Sequence, residues 1–282
     1  LPISSVDYLE EETAIHIRFM ADIIEEDIKF DKEEILDVKW ISIEELKNMS
    51  NSELRAHDIN NKFIPVLRCA KILSEKYDVV VTNPPYMGNR GMDNELLEYV
   101  KKYYLDYKTD MFSCFIKQCY NLSKTNGYYA MITQPTFLFI SSFEKVREDM
   151  INNNSIISLL HMGRGIFGID FGSASFVMQK KVNLNYEGSY FRLNKRTFQY
   201  IDVKDIEQIY LNALRDNNYT FNFDRYSSNE NNEIYNISYG EELKIKFVTN
   251  QSDFKNIPGS PFAYWASESL LNAFKIGKSL YS

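Results

Sequence analysis

Residues 77–86, YDVVVTNPPY, form the stretch that decides the fold. Val79 to Thr82 are all β-branched, and such a short apolar run predicts a strand buried on both faces of a parallel sheet. Pro84 and Pro85 lack the N–H that a sheet ladder needs, so the strand must end at Asn83. In open α/β sheets ligands bind at the carboxyl ends of strands. We therefore expect a functional site immediately after this strand.

The residues that follow the strand suit one kind of ligand. The Asn83 side chain and the Pro84 backbone each offer a carbonyl oxygen, and together they can accept the two hydrogens of a flat amino group. Tyr86 can stack on the ring that carries the amine, a contact worth roughly 1–3 kcal/mol per base. The pattern therefore predicts a site for a flipped-out base with an exocyclic amine.

Composition excludes several classes of protein. With 282 residues, of which 44% are hydrophobic, the chain has room for about two domains and a sizeable core. It contains no apolar run of 18 residues and its N-terminus is acidic, so we expect neither a membrane span nor a signal peptide. Cys69, Cys114 and Cys119 are too few for a disulfide framework or a zinc site. We interpret them as buried thiols in a reducing cytoplasm and expect no metal.

Charge is distributed unevenly along the chain. Residues 62–200 carry 18 Lys and Arg against 12 Asp and Glu, whereas residues 1–61 carry 6 against 16 and residues 201–282 carry 8 against 11. The net charge of −7 therefore conceals a basic middle segment. A basic segment that also holds NPPY indicates a surface facing DNA phosphates, although ordinary solvated lysines are the alternative.

The next residues predict a helix and a second strand. Residues 87–92, which include Arg90, indicate a mobile loop able to close over a base, and a helix is expected from about Asn94. Asp110 precedes an amphipathic helix, and residues 128–133 predict a strand parallel to the first one.

Three further strands are expected downstream. Residues 155–161 predict one strand, and residues 173–180 and 189–195 are expected to pair as an antiparallel hairpin at the sheet edge. Residues 163–168 (GRGIFG), between the predicted strands at 155–161 and 173–180, match GxGxxG. Glu187 lies 19 residues beyond the last glycine of this motif. A permuted cofactor loop is one interpretation, but no helix pattern follows, so a glycine-rich loop near the substrate is favoured.

Four separate segments of the sequence resemble segments of one protein family. NPPY after an apolar strand resembles motif IV of the amino-methyltransferases that use S-adenosylmethionine. The full set resembles the adenine-specific methyltransferases of BREX phage-defence systems (PglX type). The matching strings are VVVTNPPYMGNRGM at 79–92, KTDMFSCFI at 108–116, HMGRGIFGIDFGS at 161–173 and NIPGSPFAYWASESLLNAF at 256–274.

The resemblance covers about residues 62–282 and implies a fold and a reaction. The expected fold is α/β, with a partial Rossmann-like methyltransferase core at 62–200 and a helical, irregular extension at 201–282. The implied reaction transfers a methyl group from S-adenosylmethionine to adenine N6 in double-stranded DNA, within a restriction-modification or phage-defence system whose other subunits are expected partners.

The resemblance also assigns roles to individual residues. Catalysis is expected from Asn83, Pro84, Pro85 and Tyr86. Asn83 and Asp110 are the expected cofactor contacts. Base or DNA contacts are expected from Tyr86, Arg90, Phe167 and Phe171.

Part of the family pattern is missing upstream of NPPY. The family normally carries a Gly-rich turn for the cofactor's methionine and an acidic residue for its ribose, and neither occurs before Asn83. Residues 62–76 predict an amphipathic helix instead. We therefore expect weak or absent S-adenosylmethionine binding by this chain.

Residues 1–61 resemble the C-terminal half of a Nudix hydrolase. Its REXXEE metal-binding box is absent, so this small α+β fragment is expected to have no pyrophosphatase activity of its own. Two other functions remain open for the rest of the chain. A protein-glutamine methyltransferase would share NPPY, and a non-catalytic DNA-binding remnant would bind DNA and ignore the cofactor.

Overall fold

The computed structural model describes residues 64–166, 172–197, 199–225 and 240–276. The chain divides into two compact units, Leu1–Glu75 and Lys76–Ser282. The Nudix-like segment at 1–61 lies outside the described residues. In the first unit, helix α1 (Ile64–Ser74) confirms the helix predicted over 62–76.

The second unit is built on a six-stranded mixed sheet. Its strand order is β1-β2-β4-β3-β5-β8, and β6 pairs with β7 in a separate ribbon. The strands are β1 (Tyr77–Thr82), β2 (Ser123–Thr133), β3 (Ser155–Met162), β4 (Ser173–Gln179), β5 (Glu187–Leu193), β6 (Thr220–Asn222), β7 (Glu242–Lys244) and β8 (Lys246–Asn250). The helices are α2 (Asn94–Tyr103), α3 (Met111–Leu122), α4 (Glu144–Asn153), α5 (Val203–Arg215) and α6 (Glu268–Ile276).

Four strands of the sheet run in the same direction. β1 is parallel to β2, and β3 is parallel to β5, whereas β4 runs antiparallel between β2 and β3. The carboxyl ends of β1, β2, β3 and β5 therefore meet at one edge of the sheet, which we call the carboxyl edge. The expected α/β fold is confirmed. None of the helices in the described part of the chain has an apolar stretch long enough to span a membrane.

Strand β1 ends at Thr82 as predicted, but it is not buried on both faces. Val80 packs against the core, whereas Val79 is 60% exposed and Val81 is 69% exposed. β1 lies at the end of the sheet, and among the described strands only β2 pairs with it. Because side chains alternate between faces, one face of β1 is covered and the other is open. β-branched residues favour strands of either kind, so the run predicted a strand but not burial on both faces.

The predicted hairpin between residues 173–180 and 189–195 is wrong in its pairing. β4 folds back on β3, and β5 pairs in parallel on the other side of β3. The antiparallel strand at the sheet edge is β8, which pairs with β5. A short connection favours antiparallel neighbours, and the one between β3 and β4 contains Gly163, Gly165 and Gly172.

The two faces of the sheet pack against different elements. The first core joins Tyr129 and Met131 of β2 to the buried faces of α3 and α4. The second core joins Phe191 and Leu193 of β5 to α5. Alternating residues of one strand supply the two cores, as the period of two requires.

The cysteines do not share one environment. Cys114 and Cys119 of α3 are buried, and burial raises the pKa of their thiols to about 12 and about 11. Cys69 of α1 is exposed, so its predicted burial is wrong. An apolar stripe predicts which side of a helix faces the core. It does not predict how completely each side chain of that stripe is buried.

Candidate functional site

The tip of β1 places an anchored tyrosine against an asparagine. Asn83 is exposed, Pro84 is buried, Pro85 is exposed and Tyr86 is half-buried against the first core. The Tyr86 hydroxyl lies 3.1 Å from Asn83 Oδ1 and 3.3 Å from the carbonyl oxygen of Ile132 on β2. Both neighbours are acceptors, so they share the single hydroxyl hydrogen.

This contact orients the Asn83 amide and leaves part of it available. A carbonyl oxygen has two lone pairs, so Asn83 Oδ1 can accept from a ligand while Tyr86 holds it. Burial raises the pKa of Tyr86, so its hydroxyl stays protonated near neutral pH and remains a donor. Within the described part of the chain, no donor hydrogen-bonds the carbonyl oxygen of Pro84. The tip therefore presents two acceptors that a ligand amine can use.

Asp110 ties the loop after Tyr86 to the start of α3. Its Oδ1 accepts from the backbone N–H of Phe112, which caps the helix, and from the N–H of Met87, both at 3.2 Å. The Met111 N–H donates to the Met87 carbonyl at 2.9 Å, and Gly88 forms an antiparallel bridge with Asp110. Burial raises the pKa of Asp110, although these amide contacts oppose the rise. These bonds give Asp110 a structural role, and its implied cofactor contact stays a prediction.

The loop predicted to cover the base is anchored at both ends. Asn89 donates its N–H to the Thr109 carbonyl at 3.2 Å, and Met92 is buried in the first core. Between them Asn89–Gly91 form one turn of 3-10 helix that carries the exposed Arg90. Phe167 and Phe171, the other expected base contacts, lie outside the described residues.

Two glycines of the 163–168 loop, Gly163 and Gly165, are explained by packing. A Cβ on Gly163 would collide with the carbonyl oxygen of Gln199. Gly165 has φ +101°, and a Cβ there would lie 2.6 Å from the Tyr200 ring. These glycines therefore permit close approach of the 199–201 segment, whose Ile201 N–H donates to the Arg164 carbonyl at 3.4 Å. The loop follows β3, which is separated from β1 by β2 and β4.

A row of residues crosses four strands near the carboxyl edge. Thr133 of β2 pairs with Ala174 of β4, which pairs with His161 of β3, which pairs with Arg192 of β5. His161 is 4% exposed, and its Nδ1 lies 3.1 Å from the Tyr264 hydroxyl. Burial, together with the positive charge of Arg192, lowers the pKa of His161 to about 4. His161 is therefore neutral at physiological pH.

The neutral His161 shares one hydrogen bond with Tyr264. Burial raises the pKa of Tyr264, so its hydroxyl is protonated, and it lies 3.1 Å from His161 Nδ1. Which of the two groups donates depends on the tautomer of the ring. Among the described residues, no group bonds Nε2.

Arg147 of α4 fixes the segment that carries Tyr264. The side chain is buried, and its guanidinium donates to the carbonyl oxygens of Gly259, Ser260, Phe137 and Ile140 at 2.6–3.2 Å. The Phe262 N–H also donates to the Leu138 carbonyl at 2.9 Å. These bonds hold the IPGSP turn and the residues after it against the first core.

Trp265 and Arg192 are brought together at this edge. The Arg192 guanidinium lies 5.5 Å from the centre of the indole ring. The Phe139 and Tyr264 rings lie 5.4 Å and 4.9 Å from the same indole. Sequence reasoning missed His161, Arg192 and Trp265 as site residues. The available signals were a histidine and an arginine near the ends of two strands and the aromatic string at 262–265.

The described residues do not form a site for S-adenosylmethionine. Residues 1–87 contain no glycine, so they offer no Gly-rich turn. In the glycine-rich loop after β3, Gly163 and Gly165 are explained by packing against Gln199 and Tyr200. Among the described residues there is also no group of three His, Cys, Asp or Glu side chains able to hold a metal ion.

Comparison with known proteins gives one family match and several relatives. The model of the Eco57I restriction-modification methylase family matches residues 4–167. Adenine-specific methyltransferase BrxX of Escherichia coli O9:H4 (strain HS) is 31% identical over 213 residues, which are 76% of this chain and 15% of that protein. Adenine-specific methyltransferase PglX of Lacticaseibacillus casei (strain Zhang) is 35% identical over 210 residues, 73% of this chain and 15% of that protein. The alignments thus span about 15% of the length of these relatives.

A solved type I restriction-modification assembly is also similar to the chain. It shares 16% sequence identity and a TM-score of 0.44, over 70% of this chain and 38% of that one. That likeness adds nothing to the fold described above.

Proposed function

This chain belongs to the Eco57I restriction-modification methylase family, whose model matches more than half of its 282 residues, and from that premise we propose that it supplies the adenine-binding part of a DNA adenine-N6 methyltransferase. The observation that carries the proposal is the tip of β1. Two carbonyl acceptors lie there beside a tyrosine whose hydroxyl is already bonded. Similarity to BrxX and PglX supports adenine as the target.

In this proposal the tip of β1 binds the exocyclic amine of adenine. Asn83 Oδ1 and the Pro84 carbonyl each accept one N–H of the amine. Two acceptors in these positions draw the hydrogens into the plane of the acceptors and make the nitrogen lone pair available to an electrophile. Because Tyr86 holds Asn83 Oδ1 before the ligand arrives, the acceptor is preorganised and little reorganisation is needed.

Tyr86 and its neighbours would hold the ring that carries the amine. Stacking on Tyr86 compensates in part for the unstacking that flipping requires, at roughly 1–3 kcal/mol per base. Pro85 stiffens the turn between the acceptors and the ring. Arg90 on the loop anchored by Asp110, and Phe167 and Phe171 from the 163–172 loop, remain the proposed further contacts to the base or its DNA.

S-adenosylmethionine is the methyl donor that the family implies. When bound it would supply an electrophilic methyl group. Asn83 and Asp110 are the residues proposed to meet it, but the described residues do not fit it as a complete site. We therefore assign to this chain the binding and orientation of the base.

Wider assignments rest on the same family membership. We propose double-stranded DNA and other restriction-modification or phage-defence subunits as partners, no membrane or metal partner, and a cytoplasmic location. We also retain three segments as proposals, with boundaries at 61 and 200. The Nudix-like interpretation of residues 1–61 rests on sequence order alone, and the family match at residues 4–167 overlaps that segment.

A non-catalytic DNA-binding role is the second candidate. The basic charge of residues 62–200 favours it, because DNA binding uses that charge whether or not a methyl donor is bound. The protein-glutamine alternative gives no reason for the basic charge of residues 62–200.

A binding experiment tests the proposal without the methyl donor. Two duplexes of one sequence would carry either adenine or purine, which lacks the amine, opposite an abasic site that makes flipping easy. We expect the chain to prefer adenine by roughly tenfold, since two hydrogen bonds depend on the amine. Asn83→Ala should reduce the preference to roughly threefold, because the Pro84 carbonyl remains, while leaving the affinity for the purine duplex nearly unchanged.

The controls separate the candidate functions. Equal affinity of the unmodified chain for both duplexes, with good DNA binding, would contradict the amine-binding role and support the remnant. Competition by a glutamine-containing peptide but not by duplex DNA would support the protein-methylating alternative. Arg68→Ala, on the exposed surface of α1, is a matched control that should keep the adenine preference.

A further inference from the structure

The carboxyl edge carries a second cluster of side chains that the adenine site does not use. It consists of Phe139, Arg192 and Trp265, and we call it the Trp265 step. We propose that the Trp265 step contacts the sugar-phosphate backbone of duplex DNA about five or six base pairs from the target nucleotide. In this role Arg192 pairs with a phosphate and Trp265 packs against the adjacent deoxyribose. The inference rests on the proposed DNA-modifying function.

Position is the first argument. Arg192 is the next-to-last residue of β5, and the in-register row from Thr133 through His161 places it on the same edge as Asn83. β5 is four strands along from β1, which is roughly 19 Å at about 4.8 Å per strand. With 3.4 Å of DNA axis per base pair, that distance corresponds to about five or six base pairs. A duplex whose adenine reaches β1 therefore has backbone within reach of β5.

The charge of Arg192 is the second argument. Its Nη2 donates to the Lys195 carbonyl at 3.0 Å, and its guanidinium faces the Trp265 ring. None of the described carboxylates forms an ion pair with it, and Lys195 is taken by Asp224 at 2.8 Å. A half-buried guanidinium with unused donors is a ready partner for a phosphate. The nearby His161 is held neutral, so it does not compete for the anion.

The rigidity of Trp265 is the third argument. The indole is 38% exposed, yet rings on Phe139 and Tyr264 support it at 5.4 Å and 4.9 Å. Tyr264 is itself buried and bonded to His161. An exposed tryptophan that is fixed in advance loses little conformational entropy on binding.

Protein partners also use tryptophan and arginine as anchors. DNA is favoured because the step shares an edge with the base site and because Arg192 lacks a described carboxylate. A protein partner is kept as an outcome of the test.

Tryptophan fluorescence can report on the Trp265 step alone. The chain has two tryptophans, so Trp40→Phe leaves Trp265 as the one indole. This full-length variant would be titrated with a mixed-sequence duplex of about 30 base pairs, long enough to pass both sites, while anisotropy of a labelled strand reports affinity. We expect DNA to shift or quench the Trp265 emission. Arg192→Met should weaken binding roughly five- to tenfold and make the negative slope of log K against log salt shallower by about 0.9.

Further variants separate packing from charge. Trp265→Leu should weaken binding severalfold and leave the salt slope unchanged, and Arg192→Lys should restore the slope. Tyr103→Leu is the matched control, because Tyr103 on α2 is also an exposed ring beside a cation, with Lys102 Nζ 5.0 Å from its centre. This substitution should change neither the DNA affinity nor the salt slope. Circular dichroism would confirm that each variant is folded before its affinity is read.

Each outcome has a distinct meaning. Unchanged affinity and slope in folded Arg192→Met and Trp265→Leu, with DNA binding by the parent chain intact, overturn the inference and leave the proposed function standing. Absence of DNA binding by the parent chain overturns both. A Trp265 emission that responds to protein concentration and not to DNA assigns the step to a protein interface and overturns the inference.

Discussion

Strands β5 and β1 of the six-stranded sheet differ in how many of their faces are covered. At β5, which lies between β3 and β8, Tyr190 faces the first core and Phe191 faces the second, so both faces are buried. At β1, the edge strand, Val80 packs on the first core, while Val79 and Val81 on the other face are 60% and 69% exposed. Two strands of one sheet thus lie in different surroundings.

The difference shows that the contacts at the tip of β1 depend on one face only. Tyr86 reaches Ile132 of β2, and Met87 reaches Asp110, the N-cap of α3. Both contacts are made although Val79 and Val81 on the other face are largely exposed. The proposed acceptor groups are therefore held in place by the covered face of β1 alone.

The largest effect is expected at β5, the strand that is covered on both faces. Phe191→Ala in β5 removes a buried ring that packs against Tyr210 at 4.9 Å, and should lower the free energy of unfolding by about 3–5 kcal/mol. Urea unfolding followed by circular dichroism measures it. A loss below about 1 kcal/mol would mean that the second core is not closed over β5.

A pH effect of somewhat smaller size is expected from His161. Its folded pKa of about 4 lies below the unfolded value of 6.5, so the unfolded state binds the proton more readily. The stability present above pH 6.5 should fall as pH drops toward 4, by up to about 3 kcal/mol. Urea unfolding at pH 7, 5 and 4 measures the loss.

The matched control for this pH effect is His161→Gln. It removes the titrating ring and should flatten the pH dependence between 6.5 and 4 relative to the unmodified chain. Parallel curves for both proteins would show that His161 is not the group that titrates.

A smaller loss is expected at the tip of β1. Tyr86→Phe removes the hydroxyl shared by Asn83 Oδ1 and the Ile132 carbonyl, and should cost about 0.5–1.5 kcal/mol of stability. The adenine preference should also weaken, because Asn83 loses the group that orients it. Retention of both quantities would show that the tip is organised by something other than Tyr86.

The smallest effect is expected on the open face of β1. Val81→Thr keeps the β-branched shape at an exposed position, so the free energy of unfolding should change by less than about 0.5 kcal/mol. Val146→Thr in α4 is the matched control at a buried position and should cost about 1–3 kcal/mol, because it buries a hydroxyl. Equal losses at the two positions would show that the second face of β1 is covered after all.

Local features of the fold could be predicted from sequence. Pro84 and Pro85 fix the end of β1, and Asp110 accepts from the first turn of α3 as a helix cap should. These outcomes depend on neighbours in the chain. The parallel pairing of β1 with β2 followed from the connecting helices.

Contacts between distant segments could not be predicted in the same way. His161 meets Tyr264 across 103 residues, and Arg147 meets Gly259 across 112. No sequence pattern near either residue predicts its partner, because the two hydrogen-bonding groups meet only when distant segments pack together. The order of β3, β4 and β5 failed for the same reason, since all three strands have similar propensity and burial decides their pairing.

Titration calorimetry of S-adenosylmethionine with the full 282-residue chain tests the central claim most directly. The claim is that this chain holds the acceptor side of the site without the donor side. We predict no saturable heat at micromolar concentrations of the ligand. A dissociation constant in the micromolar range, about −8 kcal/mol of binding free energy, would contradict the claim and require a donor site built from other residues of the chain.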